Sequence, residues 1–263
     1  VGGLVRLGLP AVLSAMGLHP EYEGQRYLLP EGKALIISTS HDRLGDEGDE
    51  TGVAASEMTA PYYEFLGGRM SVDIASIKGG IIPIEPIGLR YPMASHADKR
   101  FLKDEVALHK TRNSKKIDGV NFLDYHIIFL AGGWGASYDL GTSEVLGEKI
   151  TQAHAEGILL GSVCHGVLGF LMAKDTTGLP LVQHKKMTGV TDKQVEELGI
   201  GITPMHPETE LKKHNADFQS NTGFRDFFET LTVVDGNIVT GQNQNSSGET
   251  SQALLKLLKN KND

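Results

Sequence analysis

The chain has 263 residues, of which 40% are hydrophobic and 22% are charged, so it is expected to fold as one domain with a large core. Its 33 acidic residues outnumber its 25 basic ones, the net charge is −8, and no basic tract is present, which argues against a nucleic-acid partner. With a single cysteine, an internal disulfide is excluded, and the fold does not depend on an oxidising compartment.

The N-terminal segment is the first predicted element. Its first 20 residues are apolar, but Arg6 and Pro10 interrupt them and the run is too short to span a membrane. We expect a helix that packs on the domain or on a partner subunit, and therefore a homodimer. Residues 1–30 are predicted to be an extension of an α/β domain over residues 31–263. The expected location is cytoplasmic; because the chain does not begin with methionine, attachment to a membrane through sequence upstream is the alternative.

Short runs rich in β-branched residues then alternate with helical patterns. The predicted strands cover residues 33–39, 70–76, 125–133, 157–164 and 237–242. The predicted helices, with apolar residues three and four positions apart, cover residues 55–67, 143–156, 166–174 and 247–259. This alternation is typical of a mostly parallel sheet with helices on both faces. The polar stretches 41–51 and 93–118 are expected to be long loops or insertions.

Residues 232–240 interrupt this alternation. Asp235 and Gly236 lie between two runs of β-branched residues, which is the pattern of a tight β-hairpin. The sequence therefore predicts an antiparallel pair at one edge of the sheet.

The only cysteine, Cys164, lies between a predicted buried strand and a predicted helix, directly before His165. In a parallel sheet, catalytic groups collect at such junctions, where helix N-termini offer free N–H groups. Gly161, Ser162 and Gly166 permit a sharp turn there, as in the nucleophile elbow of serine hydrolases. The helix N-terminus and the imidazole are expected to lower the thiol pKa well below the free value of about 8.5. An inert buried cysteine is the alternative.

The spacing of the ten histidines gives no sign of a metal site. They form no His-x-x-x-His pair, and a single cysteine excludes Cys-x-x-Cys. No Gly-x-Gly-x-x-Gly or Walker-type loop follows a predicted strand. The sequence therefore predicts chemistry without a metal, a nucleotide or another cofactor.

Five segments together resemble the ThiJ/PfpI superfamily, which is related to the class I glutamine amidotransferases. They are SVCHG around Cys164, TGVAASEMTAPYYEF (51–65), IASIKGG (74–80), FLAGGWGASYDL (129–140) and VVDGNIVTGQN (233–243). The chain is most similar to the branch of heat-shock chaperones with glyoxalase III activity. The resemblance implies a flavodoxin-like α/β sandwich.

The same resemblance implies roles for individual residues. Cys164 matches the nucleophile of the family, and His165 matches the histidine beside it. Glu57 falls on the acidic residue that lies next to the sulfur, where a carboxyl can share a proton with the thiol or move protons of the substrate. The backbone N–H groups of Gly132, Gly133 and His165 would form an oxyanion hole.

Two positions depart from the family pattern. Trp134 replaces a histidine found in many relatives, and it either lines the pocket or covers a subunit surface. The acid that orients the histidine in the chaperone-like branch falls on Val195, with Asp192 and Glu196 as nearby substitutes. We expect this acid to be missing, because the spacing fails for both substitutes.

The resemblance predicts an enzyme that converts methylglyoxal or glyoxal to the hydroxy acid without glutathione, or that removes related adducts from glycated side chains. A stress-response holding chaperone for unfolded clients, with Cys164 as a redox sensor, is the alternative from another class. A peptidase or amidase is a third, weaker alternative.

Overall fold

The computed structural model describes residues 2–45 and 48–262. Its strands are β1 (Lys33–Ser38), β2 (Ser71–Ser76), β3 (Lys115–Lys116), β4 (Ile127–Leu130), β5 (Leu159–Val163), β6 (Lys186–Met187), β7 (Asp217–Phe218), β8 (Thr232–Asp235) and β9 (Ile238–Gly241). Its α-helices are α1 (Gly2–Ala15), α2 (Ala55–Gly67), α3 (His96–Phe101), α4 (Glu105–Arg112), α5 (Ala136–Asp139), α6 (Glu144–Ala155), α7 (Asp192–Glu197), α8 (Pro207–Lys213) and α9 (Ser247–Asn262).

Seven strands form the main sheet, in the order β3-β2-β1-β4-β5-β9-β8. All neighbouring strands in it are parallel except β8 and β9, which pair antiparallel at one edge. Asp235 pairs with Ile238 across the turn, where Gly236 has a φ of +61°. Glycine adopts this left-handed conformation without steric cost. The predicted parallel sheet with a hairpin at its edge is confirmed.

Alternate residues of the central strands face two apolar cores, one on each side of the sheet. Ile36 and Phe129 pack with Phe65 of α2 on one side, where α9 also lies. Ile37 and Ile128 face the other core, to which α6 contributes. Because both faces are covered, β1 and β4 consist almost entirely of buried apolar residues.

Residues 93–118 were expected to be a long loop or an insertion, and the long loop is wrong. The segment contains α3 and α4, followed by β3. Ser95 and Asp98 form a reciprocal capping box that begins α3, and Asp104 accepts hydrogen bonds from two amides at the start of α4. The two helices have six and eight residues, too few to produce the apolar repeat on which the prediction relied.

The N-terminal segment forms α1 and then returns to the domain. Leu9, Val12 and Met16 keep 41%, 56% and 50% of their surface exposed. The backbone N–H of His19 donates to Oδ1 of Asn245 at 2.8 Å, which ties the segment to the 3₁₀ turn that precedes α9. Within the described part of the chain, no helix combines the length and apolar character needed to cross a membrane. The division into an extension and a domain stays a prediction.

Candidate active site

A cavity of about 200 Å³ lies where β4 and β5 end and α2 begins. β4 and β5 are parallel neighbours, with Leu130 paired to Ser162, so the residues that follow them meet at one edge of the sheet. Glu57 reaches the cavity from the first turn of α2. Five of the residues predicted from the sequence line it: Glu57, Gly133, Trp134, Cys164 and His165.

Cys164 occupies a strained turn directly after β5. Its φ is +56°, in the left-handed region that residues with a Cβ rarely adopt. A Cβ on Gly166 would lie 2.2 Å from the carbonyl oxygen of Leu130, so the turn requires glycine there. The chain continues as a 3₁₀-helix over Cys164–Phe170, in place of the α-helix predicted over residues 166–174. The geometry is that of the elbow expected from the small residues.

The carboxyl of Glu57 is buried beside the thiol, with 1% of the residue exposed. Burial raises the pKa of Glu57 well above its ordinary value, and the charge of Glu85 raises it further. The Cys164 thiol and the backbone N–H groups of Gly132 and Gly133 oppose this rise in pKa. Oε2 of Glu57 has no hydrogen-bond partner among the described residues. Glu57 therefore keeps its proton to a higher pH than an exposed glutamate would.

The low thiol pKa expected from the sequence is not found. Cys164 is 6% exposed, and burial raises its pKa, as does the negative charge of Glu57. The backbone N–H groups of His165 and Gly133 favour the thiolate and oppose this rise in pKa. The prediction counted the helix N-terminus and the imidazole but not desolvation. The thiol of Cys164 and the carboxyl of Glu57 are adjacent, so they titrate as a coupled pair. The fraction of thiolate therefore depends on whether Glu57 is protonated.

His165 is fully buried, and burial together with the charge of His206 lowers its pKa to about 3. Its Nδ1 lies 3.4 Å from the Sγ of Cys164. The tautomer with hydrogen on Nε2 leaves the Nδ1 lone pair facing the thiol. The imidazole is therefore neutral near pH 7: it can accept a hydrogen bond from the thiol, but it adds no positive charge that would stabilise a thiolate.

The predicted oxyanion-hole donors surround the thiol and the carboxyl. The backbone N–H of His165 interacts with the sulfur of Cys164, that of Gly132 interacts with the carboxyl of Glu57, and that of Gly133 interacts with both. Gly133 has a φ of +94° and leaves no room for a Cβ, which would lie 2.2 Å from the backbone nitrogen of Ala54. Two of the predicted donors thus meet at the sulfur of Cys164.

Trp134 lines the cavity, which is one of the two positions predicted for it. Its backbone N–H donates to Oε1 of Glu85 at 2.5 Å. Burial raises the pKa of Glu85 to about 8, and the Trp134 N–H opposes this rise. Sequence reasoning missed Glu85, although an acidic residue inside the apolar segment IIPIEPIG (81–88) is a signal that could have identified it.

No lysine or arginine lines the cavity within the described part of the chain. Its titratable groups are His19, Glu57, Glu85, Cys164 and His165. No group of three or more His, Cys, Asp or Glu side chains among residues 2–45 and 48–262 is placed to hold a metal ion. Burial therefore raises the pKa of both carboxyls without opposition from a lysine or arginine in the described cavity wall.

The sequence profile of the DJ-1/PfpI family matches residues 50–257. The chain belongs to the DJ-1/PfpI family. Among DJ-1/PfpI relatives, the glutathione-independent glyoxalase hsp3101 of Schizosaccharomyces pombe is 27% identical over 237 residues, which cover 86% of this chain and 96% of the relative.

Solved structures agree with this family assignment. Glyoxalase III from Candida albicans has a TM-score of 0.76 and 26% identity, with 86% of this chain and 96% of that one covered. The Rapid Encystment Protein 24 KDa of Francisella tularensis has a TM-score of 0.80 and 28% identity, with 86% and 99% covered. The ThiJ/PfpI resemblance and the flavodoxin-like α/β fold are confirmed.

In this DJ-1/PfpI chain, the structure brings neither substitute acid to His165. Asp192 accepts a hydrogen bond from the hydroxyl of Thr209 at 2.7 Å, and Glu196 is exposed on α7. Val195, where the acid was expected, is buried. Nε2 of His165 has no hydrogen-bond partner among the described residues. Whether activity needs either acid stays a prediction.

His19 lies between the cavity and a larger groove of about 500 Å³, and it lines both. Its Nε2 is 2.8 Å from the carbonyl oxygen of Met93, so Nε2–H donates and Nδ1 keeps its lone pair. Burial lowers the pKa of His19. Sequence reasoning missed this residue because it precedes the segments that resemble the family.

Proposed function

We propose that the protein is a glutathione-independent glyoxalase, which converts methylglyoxal or glyoxal to the 2-hydroxy acid with Cys164 as nucleophile and Glu57 as the group that moves the substrate proton. The observation that carries the proposal is the placement of the only cysteine, on a strained turn, beside a buried carboxyl in a cavity of about 200 Å³. The names of the similar DJ-1/PfpI proteins support the reaction class.

The reaction begins with addition of the thiol to the aldehyde carbon, C1. The Sγ of Cys164 bonds to C1, and the thiol proton passes through the carboxyl of Glu57, which hydrogen-bonds to the thiol, to the aldehyde oxygen, O1, which gives a hemithioacetal. Negative charge that develops on O1 is stabilised by the N–H groups of Gly133 and His165, which already favour negative charge on the sulfur.

Glu57 then moves a proton between two carbons. As the carboxylate it takes the proton from C1, and an enediol forms; it returns the proton to C2, which leaves a thioester on Cys164. Its raised pKa makes the carboxylate a stronger base than an exposed glutamate. Water cleaves the thioester, which releases the hydroxy acid and restores the thiol. Atoms and electrons balance without a redox partner.

The cavity favours a small uncharged substrate. Methylglyoxal has five non-hydrogen atoms, and its size is well below the cavity volume of about 200 Å³. Apolar side chains such as Met93 and Ile200 line the cavity together with Trp134. Since no lysine or arginine in the described residues lines it, an anionic substrate has no counter-charge. The adjoining groove supports the related activity on glycated side chains.

The decisive experiment is lactate release from methylglyoxal without glutathione. Wild type should form lactate, whereas Cys164→Ala and Glu57→Gln should each lose almost all activity. Glu64→Gln is the matched control, since Glu64 lies on the same helix but outside the cavity. Absence of lactate with folded wild type, or its persistence in Cys164→Ala, would overturn the proposal.

The chaperone and redox-sensor alternatives make different demands on the chain. Sensor cysteines are exposed and have a low pKa, whereas Cys164 is buried with a raised pKa. A holding chaperone needs an exposed apolar surface, which Leu9, Val12 and Met16 on and after α1 could supply. We propose instead that these side chains pack against a second copy of the chain, and light scattering that shows a monomer at all concentrations would contradict this.

A further inference from the structure

Glu85 is a second buried carboxyl in the cavity that contains Cys164 and Glu57. Backbone hydrogen bonds fix its position: the N–H of Glu85 donates to the carbonyl oxygen of Val53 at 3.0 Å, and the N–H of Val53 donates to that of Pro83 at 2.9 Å. Val53 lies just before α2, whose first turn carries Glu57. The two carboxyls are therefore held by neighbouring backbone segments.

The hydrogen bond at Glu85 does not require a carboxyl. Among the described residues, the carboxyl's hydrogen-bond donor is the N–H of Trp134 on Oε1, and the amide oxygen of a glutamine could accept that bond equally well. Burial of Glu85 without a cation in the described cavity wall raises its pKa to about 8, and its charge in turn raises the pKa of Glu57. Burial makes the ionised form of Glu85 unfavourable, and the hydrogen bond from the Trp134 N–H does not require a carboxyl. The presence of a carboxyl at this position therefore indicates a chemical role.

Formation of the enediol requires such a group. When Glu57 takes the proton from C1, the ketone oxygen, O2, must gain a proton or its negative charge must be stabilised. Glu57 cannot accept one proton and donate another in the same step. When the enediol collapses to the thioester, O1 must lose its proton while C2 gains one. The reaction therefore needs a second acid and base on the oxygen side of the substrate.

We propose that Glu85 is a second catalytic carboxyl, which donates a proton to O2 as the enediol forms and accepts the proton of O1 as the enediol collapses. Glu57 meanwhile carries the proton from C1 to C2. Each carboxyl ends the cycle in the protonation state in which it began, so no co-reactant is consumed. This role rests on the proposed glyoxalase function.

The mechanism needs one proton on the carboxyl pair, so that one member is the base and the other the acid. The other titratable groups that face the cavity are His19 from the N-terminal segment and Cys164 and His165 after β5. Burial lowers the pKa of both histidines, which are therefore neutral near pH 7. Loss of the first proton from the pair should thus raise activity and loss of the second should lower it, and burial moves both steps to higher pH than in an exposed glutamate.

The test is the pH profile of lactate formation by Glu85→Gln. This variant keeps the acceptor for the Trp134 N–H but cannot exchange a proton with the substrate. We expect kcat to fall by about 10²-fold or more. The decline of activity at high pH, where the pair loses its second proton, should disappear, because only Glu57 remains to titrate. Glu148→Gln on α6, an exposed glutamate, should match wild type in both respects.

The outcomes separate this role from the proposed function. Inactive wild type would refute the glyoxalase function itself. Active wild type together with a Glu85→Gln variant that keeps its kcat and its decline at high pH would overturn only the role of Glu85, and would show that Glu85 merely positions the Trp134 loop. Glu85→Asp covers the case in which Glu85→Gln does not fold. It should keep a decline at high pH, and a profile without that decline would refute the pair.

Discussion

Gly132 is the position where one added methyl group should disable the site without removing the fold. A Cβ there would lie 2.4 Å from Oε2 of Glu57 and 2.7 Å from the carbonyl oxygen of Val163. Ordinary Cβ contacts begin at 3.4 Å, so the carboxyl has to move by about 1 Å. Displacement of a catalytic group by about 1 Å costs on the order of 10²-fold in rate. We therefore expect Gly132→Ala to lower kcat for lactate formation by about that factor.

The cost in stability should leave the variant folded. Overpacking of a buried site costs about 1–3 kcal/mol, which a domain of this size tolerates. Gly67→Ala is the matched control: Gly67 ends α2, the helix that carries Glu57, and no atom lies within 4 Å of the added Cβ. This control should keep full activity and gain about 0.5–1 kcal/mol. A folded Gly132→Ala variant with wild-type kcat would refute the placement of Glu57.

Two further predictions concern the acidic residues. The pKa of Glu85 is raised from 4.5 to about 8 on folding, so its stabilising contribution is complete below pH 4.5 and is lost as the pH rises towards 8. Relative to Glu85→Gln, wild type should lose roughly 5 kcal/mol of unfolding free energy between pH 4 and pH 9. Denaturant titrations of both proteins at several pH values measure this difference. If the unfolding free energies of the two proteins change with pH in the same way, the burial of this carboxyl is contradicted. Asp192→Asn and Glu196→Gln should each keep most of the activity, because neither side chain hydrogen-bonds to His165; a large loss in a folded variant would restore a full triad.

The parts of the fold that the sequence predicts are those with a strong periodic signal. β1 was expected over residues 33–39 and is found over Lys33–Ser38, because strands buried on both faces appear as continuous apolar runs. α2 was expected over residues 55–67 and has those bounds. The short α3 and α4 were missed, since their signal is a pair of caps rather than a repeat.

The site divides in the same way, into features that are local in sequence and features that depend on tertiary contacts. The elbow at Cys164 follows from neighbouring small residues, and Glu57 followed from the family resemblance. Glu85 depends on the backbone pairing of its segment with Val53, 32 positions earlier, and the chain gives no local sign of that contact. The direction of the Cys164 pKa was wrong for a related reason: desolvation is set by every group that packs around the thiol.

The neutral state of His165 explains why a missing triad acid is compatible with activity. In a nucleophile–base–orienter triad, the acid is most important because it stabilises the imidazolium that forms. Here burial holds the pKa of the imidazole at about 3, and the carboxyls of Glu57 and Glu85 move the protons of the substrate. An ionised acid in place of Val195 would add another buried negative charge near a cavity that has no cation among the described residues, and it would raise the carboxyl pKa values further. A buried valine at this position adds no such charge.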